Sequence, residues 1–334
     1  MTLMQKFLGA TAALALTAGA AMAEPALIFD LGGKFDKSFN EAAFNGAQRW
    51  AEETGGTFFE IELQSEAQRE QALRRFAEAG ANPVITTGFA FADPVNTVAG
   101  DYPDTKFVNI DGWMPDVPPN VQLIGFQEQQ GSYLVGMLAA MASKTGSVGF
   151  IGGMDIPLIR QFGCGFAQGV KAVNPDASVI ANMTGTTPAA WNDPVKGSEL
   201  TKAQISQGAD VIYAAAGGTG VGVLQTAADE DILSIGVDSN QNYLHPGKVL
   251  TSMLKRVDVA VYDSMKAGEA METGGFTTLG LAEDGVGYAL DEYNADLISD
   301  EMKATVDEAR QKIIDGELEV VSYYANDSCP VLDF

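Results

Sequence analysis

The sequence is poor in histidine and cysteine, and this shortage argues against several kinds of catalysis. The chain of 334 residues contains one histidine, His245, and two cysteines, Cys164 and Cys329. Histidine-based catalytic triads and metal sites built from clustered histidines therefore have almost no side chains to use. A Gly-x-Ser-x-Gly nucleophile motif is also absent from the sequence. We therefore expect a protein that is not an enzyme and that has no metal and no cofactor.

Basic residues are also scarce. The chain has 20 lysine and arginine residues against 44 aspartate and glutamate residues, which gives a formal net charge of −24. Nucleic acid carries a dense negative charge of its own and is repelled by such a protein. We therefore expect no nucleic-acid partner, and we attribute the acidity mainly to solubility.

Long apolar runs are absent after residue 23. The first 23 residues, MTLMQKFLGATAALALTAGAAMA, have an early positive charge at Lys6, an apolar middle, and small residues at Ala21 and Ala23. This pattern predicts a cleaved signal peptide over residues 1–23 and hence export. An uncleaved anchor is the alternative, but the alanine-rich stretch is short for a span of about 20 residues. A lipid anchor is disfavoured because no cysteine lies near the cut.

The two cysteines have a use in an exported protein. An oxidising compartment permits Cys164 and Cys329 to form a disulfide, which we favour over two separate buried thiols. A bond that closes so long a loop stabilises the fold by up to about 4–5 kcal/mol.

Short runs rich in β-branched and aromatic residues alternate with helical patterns from Glu24 onward. Strands are predicted at residues 26–30, 58–63, 83–88, 106–111 and 121–126, and again at 147–153, 177–185, 209–217 and 233–239. Continuous apolar strands separated by helices indicate parallel sheets that are covered on both faces. Two such units in tandem predict an α/β fold with two doubly wound lobes.

The first helix of the chain follows a glycine-rich turn, in the stretch DLGGKFDKSFNEAAFNG of residues 30–46. Ser38 is followed three residues later by Glu41, which matches a capping box. We therefore predict that the helix begins at Ser38 and that Gly55 and Gly56 end it.

The carboxyl ends of the predicted strands carry acids and glycines. Ligands of open parallel sheets bind beyond these ends, so Asp30, Asp111 and Asp238 are expected to line one cleft between the lobes. Carboxylates accept hydrogen bonds from vicinal hydroxyls or from the edge of a heterocycle. Phe39 and Trp191 could each offer an aromatic face to a planar ring, although either alone is more often a core residue. Together they predict a ligand that is partly flat and partly rich in hydroxyls.

The stretch GGTGVG at residues 217–222 has two interpretations. Its glycines could let backbone amides approach a phosphate at a helix start. It lacks the spacing of the dinucleotide-binding motif and the lysine of the P-loop, however. A turn that lets a ligand or the other lobe come close is the simpler interpretation.

Motifs along the whole chain resemble one known family. DLGGKFDKSFNEAAFNG at 30–46, VNIDG at 108–112, WNDP at 191–194, AAAGGTGVGV at 214–223, IGVDSNQ at 235–241 and TSMLKRVD at 251–258 occur in this order. They are similar to the basic membrane protein family, the purine-nucleoside-receptor-like solute-binding proteins of ABC transporters. The resemblance implies a type I periplasmic binding protein with a hinge. Its lobes would comprise residues 24–126 with about 256–282, and residues 127–255 with about 283–334.

The resemblance also implies a set of ligand-binding residues. Asp30 and Phe39 would meet a base, Trp191 would stack on its other face, and Asp238 with Lys255 would hold the ribose. The whole implied set is Asp30, Phe39, Asn40, Asp111, Trp191, Gly218, Asp238 and Lys255. Gly218 is preferred over its neighbour Gly217 as the contact from the glycine turn.

The implied function is a monomeric periplasmic receptor that binds a nucleoside, preferably a purine nucleoside, and delivers it to an ABC permease in the inner membrane. Trp191 stands where the family usually has phenylalanine, so another heterocycle such as a flavin is an alternative ligand. A secreted nucleoside hydrolase that uses Asp30 and Asp36 is a second alternative. A sensor that signals to a membrane partner would have the same pocket.

Overall fold

The computed structural model describes residues 23–334. The predicted signal peptide at residues 1–23 therefore lies outside the described residues, apart from its last position. Within residues 23–334 no helix combines the length and the apolar character needed to cross a membrane.

Twelve strands and nine helices alternate along the described chain. The strands are β1 Ala26–Phe29, β2 Phe59–Glu62, β3 Val84–Thr87, β4 Phe107–Ile110, β5 Val121–Phe126, β6 Ser147–Met154, β7 Ser178–Gly185, β8 Val211–Ala215, β9 Leu233–Asp238, β10 Val249–Lys255, β11 Gly275–Leu279 and β12 Val286–Tyr288. The helices are α1 Phe39–Thr54, α2 Arg69–Glu78, α3 Ala92–Ala99, α4 Glu128–Ala142, α5 Pro157–Val173, α6 Pro194–Ser206, α7 Thr219–Asp229, α8 Val257–Ala267 and α9 Asp300–Ile314.

The strands form two six-stranded sheets. The first has the order β11-β5-β4-β3-β1-β2 and is parallel throughout. The second has the order β12-β10-β9-β8-β6-β7 and is parallel except for its edge strand β12. Strands β1, β3 and β4 are buried at every position, as expected for strands covered on both faces. The predicted fold of two doubly wound α/β lobes is confirmed.

The chain passes between the two sheets three times. It leaves the first sheet after β5, since α4 packs on α5 and β10 of the second. It returns after β10, because α8 packs against α1. It crosses again between β11, which pairs with β5, and β12, which pairs with β10. Each sheet is thus completed by an edge strand from the C-terminal part of the chain.

Helix α1 begins after Ser38 and ends at Gly55, whose φ of 71° is in the left-handed region that glycine favours. The predicted capping box is wrong, because the Ser38 side chain makes no capping bond. The Asp36 carboxylate instead accepts hydrogen bonds from the backbone N–H groups of Ser38, Asn40 and Glu41. These three donors are among the groups that a helix start leaves without partners.

The C-terminal segment is fastened to helix α5. Cys164 on α5 and Cys329 form a disulfide. The amide of Gln168 forms two hydrogen bonds of 2.9 Å with the backbone of Val321. The Gln161 Oε1 accepts from Ser322 Oγ and from the next backbone N–H. This segment is therefore held in a defined position although it contains no long helix or strand.

Candidate functional site

A cavity lies between the two sheets, at the carboxyl ends of their parallel strands. Its lining includes these residues of the predicted set: Asp30, Phe39, Asn40, Asp111, Trp191, Asp238 and Lys255. Gly218 is not among the lining residues, whereas Gly217 is. Seven of the eight predicted residues therefore meet at one cavity, which is where the topology of open parallel sheets places ligands.

The Trp191 side chain lies against strand-end glycines. A Cβ atom added at Gly153 would lie 2.1 Å from Cζ3 of the indole, closer than two carbon atoms can approach. An added Cβ at Gly32 would lie 3.4 Å from the Trp191 Cβ, and one at Gly217 would lie 3.4 Å from the Trp191 carbonyl oxygen. Gly32 after β1, Gly153 near the end of β6 and Gly217 after β8 therefore leave the room that the indole and its loop occupy.

The glycine turn before α7 serves the same loop. The Thr219 hydroxyl donates to the carbonyl oxygen of Ala190 at 2.7 Å and accepts from the backbone N–H of Asp193 at 2.7 Å. A Cβ at Gly222 would lie 2.0 Å from the carbonyl oxygen of Pro194, so this glycine allows α6 and α7 to pack closely. The run GGTGVG thus lets the Trp191 loop come close to α7.

Lys255 lies in the most strongly buried charged cluster of the cavity. Its side chain is only 2% exposed, and its Nζ lies 2.6 Å from Asp111 Oδ2 and 3.0 Å from Glu128 Oε1. Burial lowers the pKa of Lys255, but the carboxylates of Asp111, Glu128 and Asp238 together raise it above its usual value. Lys255 is therefore a fixed cation that holds several acids in a site with little water.

The acids around Lys255 are only partly compensated by it. Burial raises the pKa of Asp238 to about 6, against the lowering effect of Lys255 and of a hydrogen bond from Ser38. Burial likewise raises the pKa of Glu128 above its usual value. Asp111 and Asp238 both have left-handed backbones, with φ of 66° and 63°. Such strain in residues other than glycine often occurs where a side chain is held for a function.

Asp30 lines the cavity and is paired with a basic residue of α2. Its carboxylate is paired with the Arg69 guanidinium through Nε to Oδ1 at 3.0 Å and Nη2 to Oδ2 at 3.2 Å. Burial raises the pKa of Asp30, and the nearby Arg69 partly opposes this effect. A Cβ at Gly88 would lie 3.2 Å from Asp30 Oδ2, so glycine is needed where these strand ends meet. The Asp30 carboxylate therefore lines the cavity while it is paired with Arg69.

Asn40 lines the cavity while its side chain is engaged by the protein. Its Nδ2 donates to the carbonyl oxygens of Asp30 and Gly33, at 3.3 and 3.1 Å, and its Oδ1 accepts from Thr87 Oγ1 at 3.0 Å. These bonds hold the glycine-rich turn in place. Asn40 thus positions the turn that precedes Phe39.

Turns from the two sheets are bonded to each other beside the cavity. The Ser38 hydroxyl donates to the Asp238 carboxylate, and Ser239 Oγ donates to the carbonyl oxygen of Ser38 at 2.9 Å. Gln241 Nε2 donates to the carbonyl oxygen of Lys37 at 2.9 Å. The turn before α1 and the turn after β9 are therefore locked together, and the cavity is closed on this side.

Several residues of the site were not predicted from the sequence, among them Arg69, Phe162 and Glu128. Arg69 lies on α2 and Phe162 on α5, where each matches an ordinary helical pattern, so the sequence gives no signal for them. Glu128 begins α4 two residues after β5, so its place just beyond a strand end was the available signal. Its ion pair with Lys255 joins residues 127 positions apart, which no local motif reveals.

Two parallel α/β sheets with an acidic and aromatic cavity between their strand ends define the class of two-lobed solute-binding proteins of the type I periplasmic fold. The chain belongs to the Bmp family, the PnrA-like ABC transporter substrate-binding proteins, whose family model matches residues 24–323.

Relatives and solved structures agree with this membership. The chain is 33% identical to the ABC transporter nucleoside-binding protein BmpA of Lactococcus lactis, over 89% of this chain and 88% of that protein. It is 35% identical to a CD4+ T-cell-stimulating antigen of Listeria monocytogenes, over 88% and 87%. A solute-binding protein of an ABC transporter system from Aeropyrum pernix has a similar structure, with a TM-score of 0.83, 30% identity, and coverage of 91% and 95%.

Proposed function

We propose that this protein is a periplasmic receptor that binds a nucleoside between its two lobes and delivers it to an ABC permease in the inner membrane. The proposed lobes are residues 24–126 with about 256–282 and residues 127–255 with about 283–334. The observation that carries the proposal is the meeting of Phe39, from the first sheet's side, and Trp191, from the second sheet's side, at one cavity. A planar base between these rings would be contacted on both faces.

The polar end of the cavity supports a sugar as the second half of the ligand. Lys255 can donate hydrogen bonds, while Asp111 and Asp238 can accept them from hydroxyl groups. A hydroxyl-bearing ligand satisfies such groups without adding charge to a buried site. The name of the nucleoside-binding relative from Lactococcus lactis agrees with this ligand class. We favour purine nucleosides because of the resemblance to the purine-nucleoside receptors.

Binding is proposed to be coupled to lobe closure about a hinge. The two rings belong to elements packed on different sheets, and bonds such as Ser38 to Asp238 join the two sides. A ligand that contacts both sides stabilises the closed state relative to an open one. We further propose that the exported receptor is a monomer.

Calorimetric titration of refolded, ligand-free protein tests the ligand class. Adenosine, guanosine, inosine, uridine and riboflavin are titrated in turn. We expect binding of at least one purine nucleoside in preference to uridine. Riboflavin binding alone would shift the proposal to a flavin receptor, and absence of binding to all five compounds would reject the ligand class.

The hydrolase alternative finds little support in the geometry of its two acids. The Asp30 carboxylate is paired with Arg69, and the Asp36 carboxylate accepts three backbone N–H bonds. Within residues 23–334 no group of three or more histidine, cysteine, aspartate or glutamate side chains is arranged to hold a metal ion. Incubation with inosine followed by chromatography separates the functions, because a receptor returns the nucleoside intact.

A further inference from the structure

A second cavity opens next to the first. Asp111 and Leu158 line both cavities, so the two are neighbours on either side of these residues. The walls of the second cavity come from the turn after β4, the start of α4, helix α5, strand β11 and the C-terminal segment. None of the functions assigned above uses this space.

The second cavity has three aromatic residues that remain partly in contact with solvent. Trp113 is 70% exposed, Tyr324 is 52% exposed and Phe276 is 48% exposed, and all three line this one space. The Phe276 ring lies over Gly125, where an added Cβ would be 2.7 Å from its Cζ. Exposed aromatic surface that converges on a cavity is typical of ligand sites.

Two carboxylate oxygens in the same walls lack a partner. Among the described residues, neither Asp111 Oδ1 nor Glu128 Oε2 has a hydrogen-bond partner, although both side chains are at least nine-tenths buried. Leaving a buried acceptor unpaired is unfavourable, and more so for a charged group. A ligand that carries hydrogen-bond donors would satisfy them once the side chains that cover them shift.

The cavity also discriminates by charge. Among residues 23–334, its lining contains the acids Asp111, Glu128 and Asp327 and no lysine or arginine. Lys255 lies close by, but Asp111 and Glu128 already engage its ammonium group. An anionic group such as a phosphate would therefore face carboxylates without a free cation.

The position of Asp111 indicates which end of the ligand points to the second cavity. One carboxylate binds two vicinal hydroxyls well, and Asp238 lines the first cavity but not the second. If Asp238 and Lys255 hold the 2′ and 3′ hydroxyls, the 5′ carbon of the sugar is the end left to face Asp111. This step rests on the proposed nucleoside function.

We propose that the second cavity accepts a substituent on the 5′ carbon of the bound nucleoside. The substituent is an apolar or aromatic group, or one that carries hydrogen-bond donors or a positive charge, and it is not a phosphate. The ligands of this receptor then include 5′-modified nucleosides, such as thioethers and amines, in addition to the parent nucleosides. Trp113, the most exposed of the three aromatic residues, would contact such a group.

Calorimetry with four adenosine compounds tests this inference. The compounds are adenosine, 5′-amino-5′-deoxyadenosine, 5′-deoxy-5′-(phenylthio)adenosine and adenosine 5′-monophosphate. We expect the amine and the phenylthioether to bind at least as tightly as adenosine, and the monophosphate to bind at least about a hundredfold more weakly. A wild-type protein that binds adenosine but loses more than tenfold in affinity for both the amine and the phenylthioether overturns the inference and leaves the nucleoside function intact.

A variant at Trp113 supplies the second readout. Trp113→Ala should weaken the phenylthioether about fivefold or more, the lower end of the effect of aromatic stacking, and leave adenosine unchanged. Tyr293→Ala removes an exposed aromatic residue outside both cavities and should change neither affinity. An equal effect of Trp113→Ala on both ligands contradicts the inference. No binding of any of the four compounds would reject the proposed adenosine-type ligand and this inference with it.

Discussion

Trp191 packs against glycines at the ends of three strands. Gly153 lies under its indole, and Gly32 and Gly217 lie beside its Cβ and its carbonyl oxygen. A glycine at these positions contributes by leaving space, and Gly32 and Gly217 also have positive φ angles, of 122° and 55°. The position of the Trp191 ring therefore depends on glycines that themselves offer the ligand few contacts.

Trp191→Ala should weaken nucleoside binding by about 1–3 kcal/mol, because the proposed stacking contact with the base would be lost. Trp191→Phe keeps an aromatic ring and should retain most of the affinity. Calorimetry with the tightest parent nucleoside measures both variants. Unchanged affinity in the alanine variant would refute the stacking role.

Gly153→Ala should also weaken binding, although residue 153 is not among those that line the cavity. The new methyl group would overlap Cζ3 of the indole, 2.1 Å away, and would displace the ring from its place. A tryptophan fluorescence spectrum that shifts together with the affinity is the expected signature. Gly287→Ala on strand β12 has open space around its Cβ and no left-handed φ, so it controls for general glycine loss.

At the scale of residues, the sequence predicts the acids and rings of the site better than their partners. Asp111, Asp238 and Trp191 follow from strand ends and family motifs, and all three line the cavity. The partner of Asp30 does not, because Arg69 lies 39 positions away on a helix with no distinctive pattern. Ion pairs across the fold depend on the tertiary arrangement, which short motifs do not encode.

At the scale of elements, the start of α1 illustrates how tertiary structure overrides a local motif. Ser38 and Glu41 have the spacing of a capping box, yet the Ser38 hydroxyl bonds to Asp238, which is 200 positions away. A hydroxyl prefers a buried carboxylate because a charged acceptor makes the stronger hydrogen bond. Asp36 then caps the helix, and the helix start becomes part of the contact between the two sheets.

Most strands were predicted from their apolar runs, but β10, β11 and β12 were not. Strand β11 is exposed at its three central positions, and β12 has only three residues. The edge strands β11 and β12 lack the continuous apolar pattern that marks a central strand. Their place in the sheets is determined by pairing with β5 and β10, which the sequence of the segment alone does not reveal.

Loss of the disulfide should loosen the C-terminal segment on α5. Replacement of both Cys164 and Cys329 by alanine should lower the free energy of unfolding by up to about 4–5 kcal/mol, since the bond spans 165 positions. Guanidinium denaturation with and without a reductant measures the change. Reductant should destabilise the wild type and leave the double-alanine variant unchanged, and an insensitive wild type would contradict the expectation.

At the scale of the whole molecule, several buried acids should make ligand-free stability depend on pH. Burial raises the pKa of Asp36 to about 7 and that of Asp238 to about 6, from an ordinary value of 3.8. The folded state therefore binds protons more tightly than the unfolded chain between about pH 4 and pH 7. The contribution of these acids to the free energy of unfolding is largest below pH 4 and falls as pH rises through this range.

The variant Asp238→Asn isolates one of these groups. The fall in stability between pH 4 and pH 6 should be shallower than in the wild type by up to about 1.4 kcal/mol for each pH unit. Asp263→Asn, at an exposed position on α8, should leave the slope unchanged. Urea denaturation across this pH range compares the three proteins, and parallel curves for the wild type and Asp238→Asn would contradict the assignment.

The last strands of the two sheets have a consequence for synthesis and export. Residues 275–288 supply β11 to the first sheet and β12 to the second, so neither sheet has all its strands until this stretch has left the ribosome or the translocation channel. The N-terminal part, residues 24–126, must therefore wait with an open sheet edge for a strand made about 150 residues later. We therefore expect a chaperone that shields this edge to bind truncated chains that end before residue 275.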